Sequence, residues 1–409
     1  MDIDYRIYVK KYFIFIFICI ICIFLSILSI LYITDPLQLF HKSFFHKDKM
    51  YYSMREQAAG IINSFEFDSV ILGTSMLENT SAREASQKIG GIFVNISLAG
   101  SSFYERAIVL KKVLQKNIAH VIYSLDSVYL GCMKENSSCP TKNWAFLYDG
   151  NPFNDYKFYL TKEFIKNIFS PAANLRTIDT DRPNAWFSDP FHAARFGGLA
   201  QWVQHIENPQ VNNFLLHELP AFAKKSHKTQ EQPEEYIREK ESALRDYLDS
   251  YLIDIIAQHP KTKFYLIFPP YYRFTYANMA QNAPYNFHLH QYAVRYLVSK
   301  THPMKNVHVY GFEDQQFLDD IANYKDTTHF HHRFNSYFLD AIASNTHILT
   351  VHNLEQYLAS CKNLALEFNI SQLNDEVQSL LRKQKEDALH TSKSAMELTA
   401  AYADGQSTD

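Results

Sequence analysis

At 409 residues, 47% of them hydrophobic and 20% charged, the chain holds enough apolar material for one large core or two smaller ones, which excludes a disordered polypeptide. Its 40 Lys and Arg against 43 Asp and Glu leave a formal charge of -3 with no long basic stripe, so a nucleic-acid partner held through phosphate contacts is excluded. The 31 Phe and 27 Tyr suit buried strands, groove walls and membrane interfaces alike, and so point to no particular chemistry.

The first predicted element is a membrane span over residues 12–33, YFIFIFICIICIFLSILSILYI, which carries no charge. As a helix it matches a hydrocarbon layer of about 30 Å. Arg6, Lys10 and Lys11 precede it, which favours an N-terminus on the cytoplasmic side. The apolar run is long for a signal peptide and no small-x-small cleavage site comes after it, so an uncleaved single-pass anchor is expected. Cys19 and Cys22 lie inside the span, and Cys361 has no evident partner. Cys132 and Cys139 bracket a short polar loop; in an oxidising compartment they are either a disulfide or two free thiols.

Residues 1–34 thus read as cytoplasmic tip and anchor, and 35–64 as a connector with an amphipathic segment near Met54 to Ile62. An α/β domain is expected over 65–350. Strands are predicted at Asp68–Gly73, Ile92–Ile96 and His120–Leu125, with helices near Ser81–Ile89 and Tyr104–Gln115 between them. Such alternation predicts a parallel sheet covered by helices on both faces, a three-layer α/β/α arrangement. Residues 127–235 break the pattern with prolines such as Pro140, Pro152, Pro171, Pro183, Pro190 and Pro209 and many aromatics, and read as a mostly helical insertion. An amphipathic helix through Leu244 to Ile256 resumes it, followed by a strand at Phe264–Phe268, a helix near Asn286–Val298 and a strand at Val307–Tyr310. Another helical pattern covers Phe334 to Ile342. Residues 351–409 form a helical tail with a frayed end.

Two segments carry candidate chemistry. Gly73-Thr74-Ser75-Met76 comes after the first strand, where an open parallel sheet binds ligands and helix N-termini offer free N–H groups. Ser75 there is either a nucleophile or a helix cap. Asp326-Thr327-Thr328-His329 comes after the last strand; the carboxylate can fix the ring tautomer while Nε2 faces the serine, or the pair can merely stabilise a loop. His331 and His332 add metal-binding side chains, but adjacent histidines point apart and no carboxylate completes a first shell, so no metal is expected. No cofactor is expected either.

The order strand-Gly-Thr-Ser near the start and Asp-x-x-His near the end resembles the SGNH (GDSL) hydrolase superfamily. Within it the chain is similar to membrane-anchored bacterial members of the D-alanyl-lipoteichoic acid protein and alginate O-acetylation protein type. The resemblance implies an extracytoplasmic, flavodoxin-like α/β/α domain on the bacterial cytoplasmic membrane. It implies Ser75 as nucleophile, His329 as base, Asp326 as its orienting acid, and Gly100 as an oxyanion donor. The superfamily's Gly-x-Asn-Asp element is missing: the matching stretch is Tyr123-Ser124-Leu125-Asp126. A carboxylate accepts and does not donate, so Asp126 reads as a structural residue or a substrate contact. Asn79 and Asn95 are the substitute donors considered. In the insertion Trp144, Tyr148, Trp186 and Trp202 are either sugar-stacking platforms or core.

The expected function is serine-dependent acyl transfer to or from envelope glycans, as acyltransferase or esterase, through an acyl-serine. The alternative is a non-catalytic accessory protein that binds glycan or docks an integral membrane acyltransferase. A purely structural envelope protein is the plainest reading.

Overall fold

The computed structural model describes residues 3–42, 44, 53–126, 141–169, 180–184, 187, 189–224 and 232–405. Helix α1, Ile3–Thr34, meets the body in its last turns, where Leu31 packs on the core and Tyr32 against Phe40. Its stretch Ile7–Thr34 is long and apolar enough to cross a membrane, and the most apolar window is entirely unburied.

Immediately beyond this helix the chain enters the core. The segment expected as a connector over 35–64 is, where described, packed into the folded body. Asp35 takes a positive φ of 30° and is fully buried. Its carboxylate accepts from the amides of Leu39 at 3.0 Å, Phe40 at 2.8 Å and His41 at 3.0 Å, and from the hydroxyl of Tyr159. Helix α2, Met54–Ser64, buries Ile61, Ile62 and Ala58. Its side chains Gln57, Asn63 and Ser64 bond the carbonyls of Leu37, Leu39 and Gln38. Gly60 is required here: a Cβ would lie 1.7 Å from the Leu37 carbonyl oxygen.

The sheet has six strands in the order β2-β1-β3-β4-β5-β6. They are β1 Ser69–Leu72, β2 Phe93–Asn95, β3 His120–Ser124, β4 Lys263–Phe268, β5 Val307–Gly311 and β6 Ile348–Leu349. The first five are parallel, and β6 pairs antiparallel with the end of β5. The sheet is therefore mixed, a correction to the wholly parallel one expected: two residues carry too little pattern to announce a strand. Runs such as Val70-Ile71-Leu72 and Phe264-Tyr265-Leu266-Ile267-Phe268 are buried on both sides because helices cover both faces.

One face packs against α2, α4 (Phe103–Val113), α5 (Glu234–Leu248), α7 (Pro284–Thr301) and α9 (Leu354–Glu367). The other packs against α3 (Ala82–Ile89), α8 (Arg333–Ser344) and the start of α10 (Ile370–Gly405). Between α5 and α7, α6 (Arg273–Asn282) comes after β4. The described insertion is helical and feeds both cores: Trp144, Tyr148 and Tyr159 join the first face, Trp202, Phe214 and Leu219 the second.

Candidate active site

The serine turn is built by the strands on either side of β1. The amide of Gly73 donates to Ser97 Oγ at 3.0 Å, and that of Thr74 to Ser124 Oγ at 3.2 Å. A side chain at Gly73 would press within 2.8 Å of Leu77 and of Ser124 Oγ, so only glycine lets the turn sit this close to β3. The next turns are braced by Asn95, whose Nδ2 donates to the carbonyls of Leu77 and Thr80, both at 2.8 Å, while its Oδ1 accepts from Ser97 N at 3.0 Å. From Val70 to Ala82 every residue is buried except Ser75. The fold presents that one hydroxyl.

Opposite it, the loop between β5 and α8 delivers an imidazole. His329 Nε2 lies 3.0 Å from Ser75 Oγ. Its Nδ1 faces the Asp326 carboxylate at 2.8 and 2.9 Å. Asp326 Oδ1 also accepts from the amides of Thr328 at 3.0 Å and His329 at 2.9 Å, which locks ring and carboxylate in one turn. With Nδ1 donating to the carboxylate, Nε2 is left to accept the serine proton. Burial pushes the Asp326 carboxyl up, but His329 and Lys325 outweigh it and hold the group far below the usual range.

Lys325 is a member of this cluster that sequence reasoning missed. Its ammonium sits 2.9 Å from Asp326 Oδ2 and 3.4 Å from His329 Nδ1, and burial lowers its pKa. Glu78 is another. It is buried three residues after the serine, and desolvation raises its carboxyl to about 7 against the hydrogen bond from Asn184 and the charges of Arg55 and Lys325. It accepts from the Ala99 amide, whose carbonyl in turn accepts from Arg55 at 3.0 Å. Ala99, the residue before Gly100, is thus held through both its N–H and its carbonyl. The adjacency of Lys325 to Asp326 and of Glu78 to Ser75 was the only sequence signal for either.

Of the oxyanion candidates, Gly100 sits exposed at φ +61° in this gripped loop. The amides of Ser75 and Gly100 have no partner among the described residues, whereas those of Gly73, Thr74 and Met76 are committed. Asn79 is buried in the serine turn. Asn95 is not a donor toward Ser75, a correction: all its polar atoms are spent on the turn. Asp126 is not a substrate contact either. It is buried, accepting from Thr74 Oγ1 and from Ser124 Oγ at 2.5 Å, with Arg106 3.5 Å away. Trp144 is a core residue, packed edge-on to Tyr148. Trp202 is wholly buried, its indole donating to the Tyr324 carbonyl at 3.0 Å. Trp186, Cys132 and Cys139 lie outside the described residues.

The insertion returns to the site. Asp181 caps α3 through the amides of Ala82 and Arg83, and Thr180 accepts from Asn95 N at 2.8 Å. Arg195 is buried, which lowers its pKa against the opposing charge of Asp326, and one of its nitrogens lies 2.5 Å from His192 Nδ1. His331 and His332 do not point apart as expected, a correction: their rings lie 4.3 Å from each other, with Phe196 edge-on to His331 and Phe187 tilted against His332, because aromatic neighbours gather both. Among the described residues no group of three His, Cys, Asp or Glu side chains could hold a metal ion. The chain matches no protein-family model, no curated protein and no solved structure.

Proposed function

We propose that the chain is a membrane-anchored serine acyltransferase or esterase, of the SGNH hydrolase type, acting on acyl groups of envelope glycans. The observation that carries the reading is the hydrogen-bonded series Ser75, His329, Asp326, assembled from two loops at the carboxyl ends of β1 and β5. Strand-to-turn placement of Gly73-Thr74-Ser75 and the Asp326-x-x-His329 spacing support the superfamily. The apolar α1 and the basic residues before it support an anchor with the body outside the cytoplasm.

In this mechanism His329 Nε2 takes the Ser75 proton as Oγ attacks the acyl carbonyl. The carbonyl oxygen becomes an oxyanion facing the amides of Ser75 and Gly100. The intermediate collapses to acyl-serine, and the departing alkoxide takes the proton from His329. A sugar hydroxyl or water then gives its proton to His329 as it attacks the acyl-serine; the second tetrahedral intermediate expels Ser75 Oγ, which takes that proton back from His329 and frees the acylated sugar or the acid. Asp326 keeps Nδ1 protonated throughout.

The burial of Asp126 where the superfamily carries an oxyanion-binding Asn favours a second reading, an accessory protein that binds glycan or docks a membrane acyltransferase. A fluorophosphonate probe on the full-length protein in detergent separates the two. Labelling of the wild type that is lost in S75A and H329A supports acyl transfer. Labelling that persists unchanged in S75A, or never occurs, defeats it.

A further inference from the structure

The edge of the sheet opposite Ser75 has a composition the acyl-transfer reading does not use. A cavity of about 680 Å³ opens there, lined by Lys261, Lys263, Lys305, His308, Tyr265 and Asn306 among others. The three lysines are exposed and have no ion pair among the described residues. A fourth, Lys88, is neutralised by Glu84 at 2.8 Å and Asp340 at 2.5 Å. Tyr265 forms the cavity's floor, with His120 and His308 stacked at 5.9 and 6.2 Å on either side. Burial and the charge of Lys263 hold both imidazoles below their usual value, so the lysines carry the charge.

The same edge receives the end of α1. Helix α2 runs from Arg55, which touches the loop after β2, to Ser64, just before β1, and so spans the sheet from its carboxyl to its amino edge. The strip Leu37–Leu39 tracks α2 toward that amino edge, from Gln57 to Asn63. Tyr32, in the last turn of α1, accepts through its carbonyl from His41 at 2.7 Å, and Lys42 lies over Phe65. The end of α1 is therefore level with Phe65. Lys116 joins the set, donating to the Phe65 carbonyl and lying over Phe67. Ile92, an exposed apolar side chain, stands at the start of β2. Of the acids at this edge, Glu84 and Asp340 pair with Lys88, Asp68 is occupied by Ser69 and the Ile92 amide, and Glu66 follows Phe65.

We propose that the amino edge of the sheet lies against the membrane and that its lysine-lined cavity takes the phosphate of an anionic lipid headgroup. The inference rests on the anchor reading of α1. Two independent features meet in it: the point where the helix leaves the body, and a concave surface whose unpaired charges are all cationic. Each lysine held close to an anionic leaflet favours that surface about fivefold. The cavity's volume of about 680 Å³ leaves room for a headgroup. Placed so, the sheet stands on the bilayer and Ser75 opens on the far side, about 15 Å or more away at roughly 3.3 Å per strand residue.

The test uses the full-length protein in nanodiscs of phosphatidylcholine alone, in nanodiscs with an equal share of phosphatidylglycerol, and in neutral detergent with and without inorganic phosphate. Lysines are acylated under limiting conditions and read by mass spectrometry, with the exposed Lys383 and Lys385 of α10 as internal reference. Labelling of Lys261, Lys263 and Lys305 should slow several-fold in phosphatidylglycerol discs against the reference pair, and less in phosphatidylcholine. K261E/K263E/K305E should abolish the difference between the two lipids in amide exchange over residues 303–307. Equal labelling in all four conditions overturns the proposal, and so does equal protection by soluble phosphate in detergent, which would mark a site for a free anion. An alkaline carbonate wash keeps the outcomes apart. Release of the chain from membranes defeats the anchor reading itself, whereas a retained chain with freely labelled lysines defeats only this inference.

Discussion

Ser75 and His329 are 254 residues apart in the chain, and their side chains meet at 3.0 Å. Such a distance in sequence with such a contact in space is costly in loop closure unless the whole sheet forms first, so the pair is a product of the complete fold. S75A and H329A should each remove probe labelling. D326N should lower acyl turnover on the order of 10³ to 10⁴-fold with the fold intact, because an amide cannot hold Nδ1 as a donor in the same way. Single-turnover kinetics with a chromogenic acyl ester checks both.

Glu78 predicts a pH dependence of stability. Its carboxyl is raised to about 7 in the folded protein, chiefly by burial, from a usual 4.5. The folded state therefore holds a proton that the unfolded state has released over that interval. The contribution is fully present below pH 4.5 and declines as pH rises through 7, by ~3 kcal/mol over the whole window. Asp326 acts with the opposite sign and at lower pH: its depressed pKa gives stability that disappears as solutions become acid. In E78Q the fall in denaturation midpoint between pH 4.5 and 7 should flatten, as read by thermal unfolding across a pH series.

The junction after α1 predicts a second stability effect. D35A leaves three backbone amides and the Tyr159 hydroxyl without their acceptor in a buried place, at a cost of roughly 3 kcal/mol or more. Y159F removes the donor to Asp35 and the acceptor of the buried Leu37 amide, and should cost about 2 kcal/mol. G60A has a steric cause, the Leu37 carbonyl, and should be at least as harmful as D35A. Thermal unfolding of the full-length variants in one detergent orders the three.

Asn95 separates turn support from chemistry. N95A takes a side-chain donor from the Thr80 carbonyl and from the Leu77 carbonyl, which keeps the Thr80 amide, and takes the acceptor from Ser97 N; it should cost about 2 kcal/mol. Because the turn carries Ser75, kcat should fall while KM for a small ester changes little. A change confined to KM would instead make Asn95 a substrate contact.

The five parallel strands were legible because each is a short apolar run bounded by turn residues, and a buried parallel strand leaves that trace. Strand β6 was not, since Ile348 and Leu349 pair only by courtesy of β5. Ser75, His329 and Asp326 stood out through residue type at strand ends. The roles of Asn95 and Asp126 did not, because they depend on partners such as Arg106 and Thr80 that local spacing does not reveal. Trp144 and Trp202 illustrate the same limit: an aromatic side chain looks alike on a groove wall and inside a core. Asp35 reads as an ordinary residue after a span; only Tyr159, 124 positions later, shows why it is buried.

That burial has a bearing on how the protein can leave the membrane. A protease cutting just beyond residue 42 would strand the Asp35–Phe40 strip with the stump and bare the flank of α2, including the groove at Gly60. Shedding and loss of structure are then a single event, so no intact soluble form arises by cleavage at that point. Anyone preparing one must begin the chain ahead of Asp35, and the cell has no such option once the strip is set.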